Sequence, residues 1–242
     1  MIILFTDFGP SGPYVGQMRA AIAKRAPDEA VIELLSDAPE FDPKASAYLL
    51  AALATDFPDD AVFLCVVDPG VGGDRLPIII EADKQIFVGP DNGLFSILIR
   101  RSSKVSAKKI TWKPDRLSAS FHGRDLFAPV AAKISTGETV SNEPIPTDTI
   151  ARPDWPNDLE SIVYTDHYGN AITGIRANTL SPTTKLKWSG NEFSYARTFS
   201  SVETGAAFWY ENANGLAEIS VNQGRADDLG LVIGQPISIL AP

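Results

Sequence analysis

The first part of the chain alternates apolar runs rich in β-branched residues with longer segments of helical period. The runs are Met1–Phe5, Ala30–Leu35, Ala61–Val67, Leu76–Glu81 and Gln85–Val88. Between them, Tyr14–Arg25 places Val15, Met18, Ala21 and Ile22 on one face, and Lys44–Thr55 does the same with Ala47, Leu50, Ala51 and Leu53. Apolar residues three and four apart share one side of a helix, so both segments predict helices. A third helix is expected after Asp91-Asn92-Gly93, through Leu94, Ile97 and Leu98. A fourth is expected from Asp125 to about Ile134, where Pro129 fits only in the first turn. Strands buried on both faces and separated by helices predict an α/β domain with a mostly parallel sheet.

From Thr139 to Asp158 the periodicity stops, and Pro144, Pro146, Pro153 and Pro156 sit among Asn, Thr and Asp. This composition reads as an interdomain linker. Beyond it come short strand-like runs, Ser161–Tyr164, Ala171–Ile175, Lys185–Trp188, Leu216–Val221 and Pro236–Leu240, separated by Gly, Asn, Ser and Pro. Short strands without a good helix predict a small β-barrel or sandwich. The expected organisation is an α/β domain over residues 1–145, a linker over 146–158 and a small β-barrel domain over 159–242.

Composition narrows the function. The chain has 242 residues, a formal net charge of −9 and a single Cys. One Cys cannot form an internal disulfide, so a reducing cytoplasm is the expected location. Basic residues are outnumbered 15 to 20 before residue 151 and 6 to 10 after it, so neither part is a basic module. Such surfaces repel a phosphate backbone, and no nucleic acid is expected as partner. No apolar run approaches the ~18 residues that would cross a membrane, and MIILFTDFG has no basic leader, so no membrane partner is expected either. A small molecule is the expected partner.

In an open parallel sheet ligands bind at the carboxyl ends of the strands. Here those ends are polar: Thr6-Asp7-Phe8-Gly9, Asp68 to Arg75 (DPGVGGDR) and Gly89-Pro90-Asp91-Asn92-Gly93, with Phe121-His122-Gly123-Arg124-Asp125 opening the last helix of the domain. Each has a purely structural alternative. Asp7 caps a turn, Asp91-Asn92-Gly93 is ordinary turn chemistry, Asp125 is a helix cap, Arg75 pairs with a surface carboxylate and His122 is a hydrogen-bonded core residue. Asp68 is harder to explain this way, because it follows an unbroken apolar run and precedes a glycine-rich loop whose backbone can approach a ligand closely.

Other chemistries find no motif. There is no HExxH, Cys pair, GxGxxG opening a helix, Walker loop or GxSxG elbow, although Asp7, Asp68 and His122 leave a mononuclear metal site open. Cys65 lies inside an apolar run and reads as packing. Seven Lys or Arg between Arg100 and Arg116 read as a solvated face. In the second part, Tyr164-Thr165-Asp166-His167-Tyr168-Gly169-Asn170 is the densest polar and aromatic cluster. It is either a hairpin turn or a pocket offering an aromatic ring beside a carboxylate and an amide.

Taken in order, TDFG, PYVGQM, FDPKASAYLLA, VVDPGVGGDR, FVGPDNGLFS, FHGRDLFAP, YTDHYGNAITGI and ISVNQG resemble the S-adenosylmethionine hydroxide adenosyltransferases, relatives of the fluorinase and chlorinase. The resemblance runs from Phe5 to about Gly224. It implies hydrolysis of S-adenosylmethionine to adenosine and L-methionine by water attacking the ribose 5′ carbon, with no cofactor. It implies a catalytic Asp68, Arg75 and His122, Asp7 on the ribose hydroxyls, and Phe41 and Tyr168 around the nucleoside. It also implies Asp166 on the methionine ammonium and Asn170 on adenine. Many relatives have Asp at Gly12 and Ser at Ala213, so Asn214 and backbone amides are implied to take over the methionine end. A homotrimer with ligand between subunits is implied as well. The alternatives are a sensor that binds S-adenosylmethionine or a nucleoside without turnover, and a metal-dependent phosphoesterase.

Overall fold

The computed structural model describes residues 1–240. By contact density the chain divides into two compact units, Met1–Ala51 with Asp56–Pro153, and Asp154 onward with the short segment Ala52–Thr55.

The first unit is built on a seven-stranded sheet formed by β1 (Ile2–Thr6), β2 (Val31–Leu35), β3 (Val62–Val66), β4 (Pro77–Ala82), β5 (Gln85–Pro90), β6 (Val105–Ile110) and β7 (Asn142–Ile145). The order is β2-β1-β3-β5-β4-β6-β7. Pairing is mixed rather than mostly parallel: three parallel pairs join β2, β1, β3 and β5, and three antiparallel pairs add β4, β6 and β7. The switch occurs at a two-residue turn. Ala82 pairs with Gln85 across Asp83-Lys84, and Asp83 takes a positive φ of 51° as such hairpins require.

Strands β1 and β3 are buried at every position. Alternation sends Ile2, Leu4, Val62, Leu64 and Val66 to one face, where they meet Met18 and Ile22 of α1 (Tyr14–Ala23) and Val130 and Ala131 of α4 (Ala128–Ser135). The intervening Phe5, Phe63 and Cys65 face the other way. There the Phe63 and Phe87 rings stack at 4.7 Å, and Phe87 meets Phe95, which precedes α3 (Ser96–Arg101). The remaining helix, α2 (Pro43–Leu53), buries Ala47, Tyr48 and Leu50 completely. Pro129 falls in the first turn of α4 because Gly123–Phe127 forms a separate π-helical turn before it.

Two strands of this sheet lie where the sequence pattern gave a solvated face and a linker. In β6 the basic run buries Ala107 on one face of the sheet and Ile110 on the other, the face on which Lys108 pairs with Glu81 of β4. Strand β7 lies at the sheet edge, the place where Pro144 removes no ladder hydrogen bond.

The second unit contains β8 (Leu159–Thr165), β9 (Ala171–Arg176), β10 (Lys185–Trp188), β11 (Asn191–Phe193), β12 (Ala207–Glu211), β13 (Leu216–Val221) and β14 (Ser238–Leu240). They form two antiparallel sheets, β12-β13-β9-β8 and β11-β10-β14. Bridges join the free edges on both sides. Ser161 pairs with Pro236, supported by Ile162 N–H to Gln235 O at 2.9 Å, and Tyr195 pairs with Trp209, supported by Ala196 N–H to Trp209 O at 2.9 Å. The two sheets thereby close into a barrel around Ile162, Ile175, Leu186, Phe193, Trp209 and Ile219. The Trp209 indole N–H is satisfied inside this core by Thr184 O at 3.0 Å.

Candidate active site

Parallel pairing brings the carboxyl ends of β1, β3 and β5 to one edge of the sheet, so Asp7, Asp68 and Asp91 follow strands ending on the same side. A cleft of about 360 Å³ opens there, lined by Asp7, Phe8, Tyr14, Phe41, Asp68, Phe121 and His122 among others.

The loop after β3 carries Asp68 to Arg75 and is held against the segment before His122. Gly72 has φ +81°, and a Cβ there would lie 2.6 Å from Ala119 O, so only glycine permits the approach. That contact brings together side chains 47 positions apart. Arg75 Nε donates to both Asp68 oxygens at 3.0 and 3.1 Å, while its terminal NH2 nitrogen bonds Asp68 Oδ2 and lies 2.9 Å from His122 Nδ1. The pair is withdrawn from water, with side-chain exposures of 9% for Arg75 and 4% for Asp68. The guanidinium also sits over the Phe127 ring at 5.3 Å.

Arginine has only donors, so His122 Nδ1 accepts, which makes the imidazole neutral with its proton on Nε2. Electrostatics favour the same form. Burial and then the Arg75 charge push the His122 pKa below its ordinary 6.5, against the weaker opposing pull of Asp68 and Asp125. With Asp68 and Nδ1 both engaged by Arg75, Asp7, Asp68 and His122 are a poor metal shell. Among the described residues, no group of three or more His, Cys, Asp or Glu is placed to hold a metal ion.

Asp7 lies on the same cleft, and its Oδ2 accepts the Phe41 N–H at 3.1 Å. Burial raises its pKa, and Glu40 and Asp68 push the same way. Phe41 has φ 56° and is 74% exposed. A bulky residue in the left-handed region is a strained conformation, so Asp7 is holding an exposed aromatic ring in a conformation the chain alone disfavours. Phe8, Tyr14 and Phe121 were not singled out from sequence. Their ring centroids lie 5.4 to 5.8 Å apart and form an aromatic wall; the available signal was that Phe8 and Phe121 sit in the polar motifs while Tyr14 opens the first helix within PYVGQM.

Asp91 and Asp125 take structural places instead. Asp91 faces Arg152 at 3.8 Å, and Asp125 binds the Arg124 guanidinium and the Ser118 N–H.

In the second unit, a cleft of about 680 Å³ is lined by Asp166, Tyr168, Asn170, Phe199, Tyr210 and Arg225 among others. Asp166 and Asn170 bond each other: Asn170 N–H reaches Asp166 Oδ1 at 2.9 Å and its side-chain amide reaches Oδ2 at 2.8 Å. This closed loop leaves the Asn170 carbonyl oxygen Oδ1 as its free acceptor. Gly169 at φ +83° permits the turn, since a Cβ would lie 2.5 Å from Asp227 Oδ1. Tyr168 stands 72% exposed at the rim. Asn214 lines neither cleft, and its backbone N–H is spent on Asn212 Oδ1 at 3.0 Å. Phe199, Tyr210 and Arg225 lay in segments without a recognisable motif.

Residues 2–143 match the SAM hydroxide adenosyltransferase N-terminal domain and residues 160–238 the corresponding C-terminal domain. The chain belongs to the SAM hydroxide adenosyltransferase family. It is 36% identical over 260 residues to the (R)-S-adenosyl-L-methionine hydrolase of Thermus thermophilus, covering 99% of both chains. It is 34% identical to the protein of that name from Salinispora arenicola, covering 93% of this chain and 91% of the relative. Solved structures agree: an uncharacterized conserved protein from Thermotoga maritima superposes with a TM-score of 0.85 at 27% identity, covering 99% of this chain and all of that one. A conserved hypothetical protein from Thermus thermophilus superposes at 0.77 with 32% identity, covering 99% of each. The two clefts of this adenosyltransferase relative fall one in each matched domain.

Proposed function

We propose that the protein hydrolyses S-adenosyl-L-methionine to adenosine and L-methionine. The observation that carries this is the Arg75 fork, which grips Asp68 and donates to a neutral His122 at the edge of a cleft that also holds Asp7 and Phe41. A water oxygen bonds the ribose 5′ carbon as the carbon–sulfur bond breaks. Sulfur leaves with the bonding pair as the neutral thioether of methionine, so no general acid is needed and no cofactor is required. What the site must supply is the nucleophile. Arg75 favours hydroxide over water beside its fixed charge, Asp68 holds the guanidinium in place, and His122 offers Nε2–H as a further donor to the oxygen. The proton released by water passes to bulk solvent.

For binding, Asp7 accepts from the ribose hydroxyls, Phe41 and Tyr168 flank the nucleoside, Asp166 meets the ammonium group and Asn170 reads adenine through Oδ1. The active assembly is a cyclic trimer in which one subunit's N-terminal cleft and its neighbour's C-terminal cleft share the ligand. Support comes from Phe41 and Tyr168, large aromatics at the two rims that are 74% and 72% exposed in the single chain. A cytoplasmic location is supported by the single Cys65, buried as a free thiol as suits a reducing compartment; among the described residues no helix is long and apolar enough to cross a membrane.

Incubating the protein with S-adenosylmethionine and separating the products tests the reading. Equal amounts of adenosine and methionine are expected, with turnover insensitive to chelators; ligand bound but unchanged would make the protein a sensor.

A further inference from the structure

Beneath the C-terminal cleft lies a carboxylate that the proposed reaction does not use. Glu218 of β13 stands directly opposite Tyr210 of β12, with Ile172 of β9 on its other side, and only 4% of it is exposed. Its Oε1 accepts from the Tyr210 hydroxyl at 2.5 Å and from Ser220 Oγ at 3.5 Å, and its Oε2 accepts from Asn212 Nδ2 at 2.9 Å. All three partners are neutral. The charged group acting on Glu218 is a second carboxylate, Asp166, in the cleft lining; burial, and less strongly Asp166, push the Glu218 pKa up against the hydrogen bonds from Tyr210 and Asn212. Arg225, the basic residue of that lining, has its fork on Asp227 at 3.0 and 2.7 Å.

Hydrogen bonds from neutral donors spread a buried charge without cancelling it. With Asp166 on the cleft lining and Glu218 behind Tyr210, the ionised pair gives this cleft a negative field. Glu218 also fixes an aromatic wall. Tyr210 lines the cleft, its ring lies 5.3 Å from Phe199 and 5.7 Å from Phe208, and its hydroxyl is tied to Glu218. Burial, reinforced by that bond, pushes the Tyr210 pKa far up, so the hydroxyl stays a donor.

We propose that Glu218 is a positioning residue that pins the Tyr210 ring and, with Asp166, supplies the field by which this cleft selects a cationic ligand over a neutral one. The inference rests on the hydrolase reading above. S-adenosylmethionine carries a sulfonium and an ammonium against one carboxylate, whereas adenosine is neutral. The field therefore holds substrate and releases the nucleoside product.

The test is Glu218→Gln, which keeps volume and removes charge, read as KM for S-adenosylmethionine against the inhibition constant for adenosine. KM is expected to rise about tenfold and the adenosine constant by less than about threefold, as befits one desolvated charge. A role in folding alone weakens both ligands alike, and that result, or no change in either, overturns the charge assignment. Tyr210→Phe keeps the carboxylate and frees the ring, so it serves if the Gln variant does not fold. Both ligands should weaken together by about threefold, as for one lost hydrogen bond; two unchanged constants overturn the pinning role. Wild-type protein that does not turn over S-adenosylmethionine overturns the hydrolase reading itself.

Discussion

In the N-terminal cleft the central carboxylate meets a cation: Asp68 and Arg75 offset each other, and the guanidinium keeps a donor aimed at a neutral histidine. In the C-terminal cleft the carboxylates Asp166 and Glu218 are bonded by amides and hydroxyls, and the charge left over is negative. The scaffolds differ in the same sense. The first site hangs on strand ends and a glycine loop that bring distant side chains together, whereas the second sits on a barrel wall where cross-strand neighbours meet by register alone. The contrast assigns different work to each. In the proposed reaction the guanidinium held by Asp68 steadies hydroxide character on a water oxygen, and the carboxylates of the second cleft hold a cationic substrate.

The largest expected effect comes from removing the positive side. Arg75→Ala should lower turnover by about a hundredfold or more, comparable to deleting one preorganised donor. Arg75→Lys should recover only part, because a point charge cannot reach both Asp68 and His122 as the guanidinium does. Steady-state kinetics on both variants check this, and unchanged turnover in Arg75→Ala would break the division of labour.

Asp7→Ala should act on binding. Losing charged hydrogen bonds to ribose, about 1.5–3 kcal/mol each, should raise KM at least tenfold with a smaller effect on turnover. If turnover falls while KM holds, Asp7 belongs with the nucleophile rather than the substrate.

The pH response follows from His122. Its folded-state pKa lies below 6.5, so the neutral ring that accepts from Arg75 persists above 6.5 and is lost only as pH falls through the lower value. Its contribution to stability is likewise present above 6.5 and lost on acidification. Turnover measured against pH should hold level down to 6.5 and decline below it. A decline beginning above 6.5 would mean that the ring is charged in the resting site.

The smallest effect is on stability. Phe41→Gly relieves a residue at φ 56°, so the melting point should stay level or rise slightly, within about 1 kcal/mol, while KM increases. A clear loss of stability would show that the ring packs rather than waits for ligand.

Legibility in the sequence followed burial. Strands β1, β3, β4 and β5 announce themselves because strands covered on both faces must be apolar, and β2 by its apolar VIELL although it is a half-exposed edge strand. Strands β6 and β7 do not, because one pairs Lys108 with a neighbouring strand and the other is an edge carrying Pro144. Strands β11 and β12 were also unmarked: the first is three residues beyond a Ser189-Gly190 turn, and the second reads AFWYE without a clear period. The site residues were legible as motifs while their mutual contacts were not. Arg75 reads as a surface ion pair until Gly72 is seen to seat its loop against Ala119. Asp166 and Asn170 read as separate ligand contacts, yet they bond each other. Tyr210 and Glu218 meet only because β12 and β13 pair in one register.

The central claim is that the N-terminal cleft delivers a water oxygen to the ribose 5′ carbon. Turnover of S-adenosylmethionine in water labelled with oxygen-18, read by mass spectrometry of both products, tests it directly. The account predicts one labelled oxygen in adenosine, at the 5′ hydroxyl, and none in methionine. Adenosine formed without label, or label carried by methionine, would contradict it.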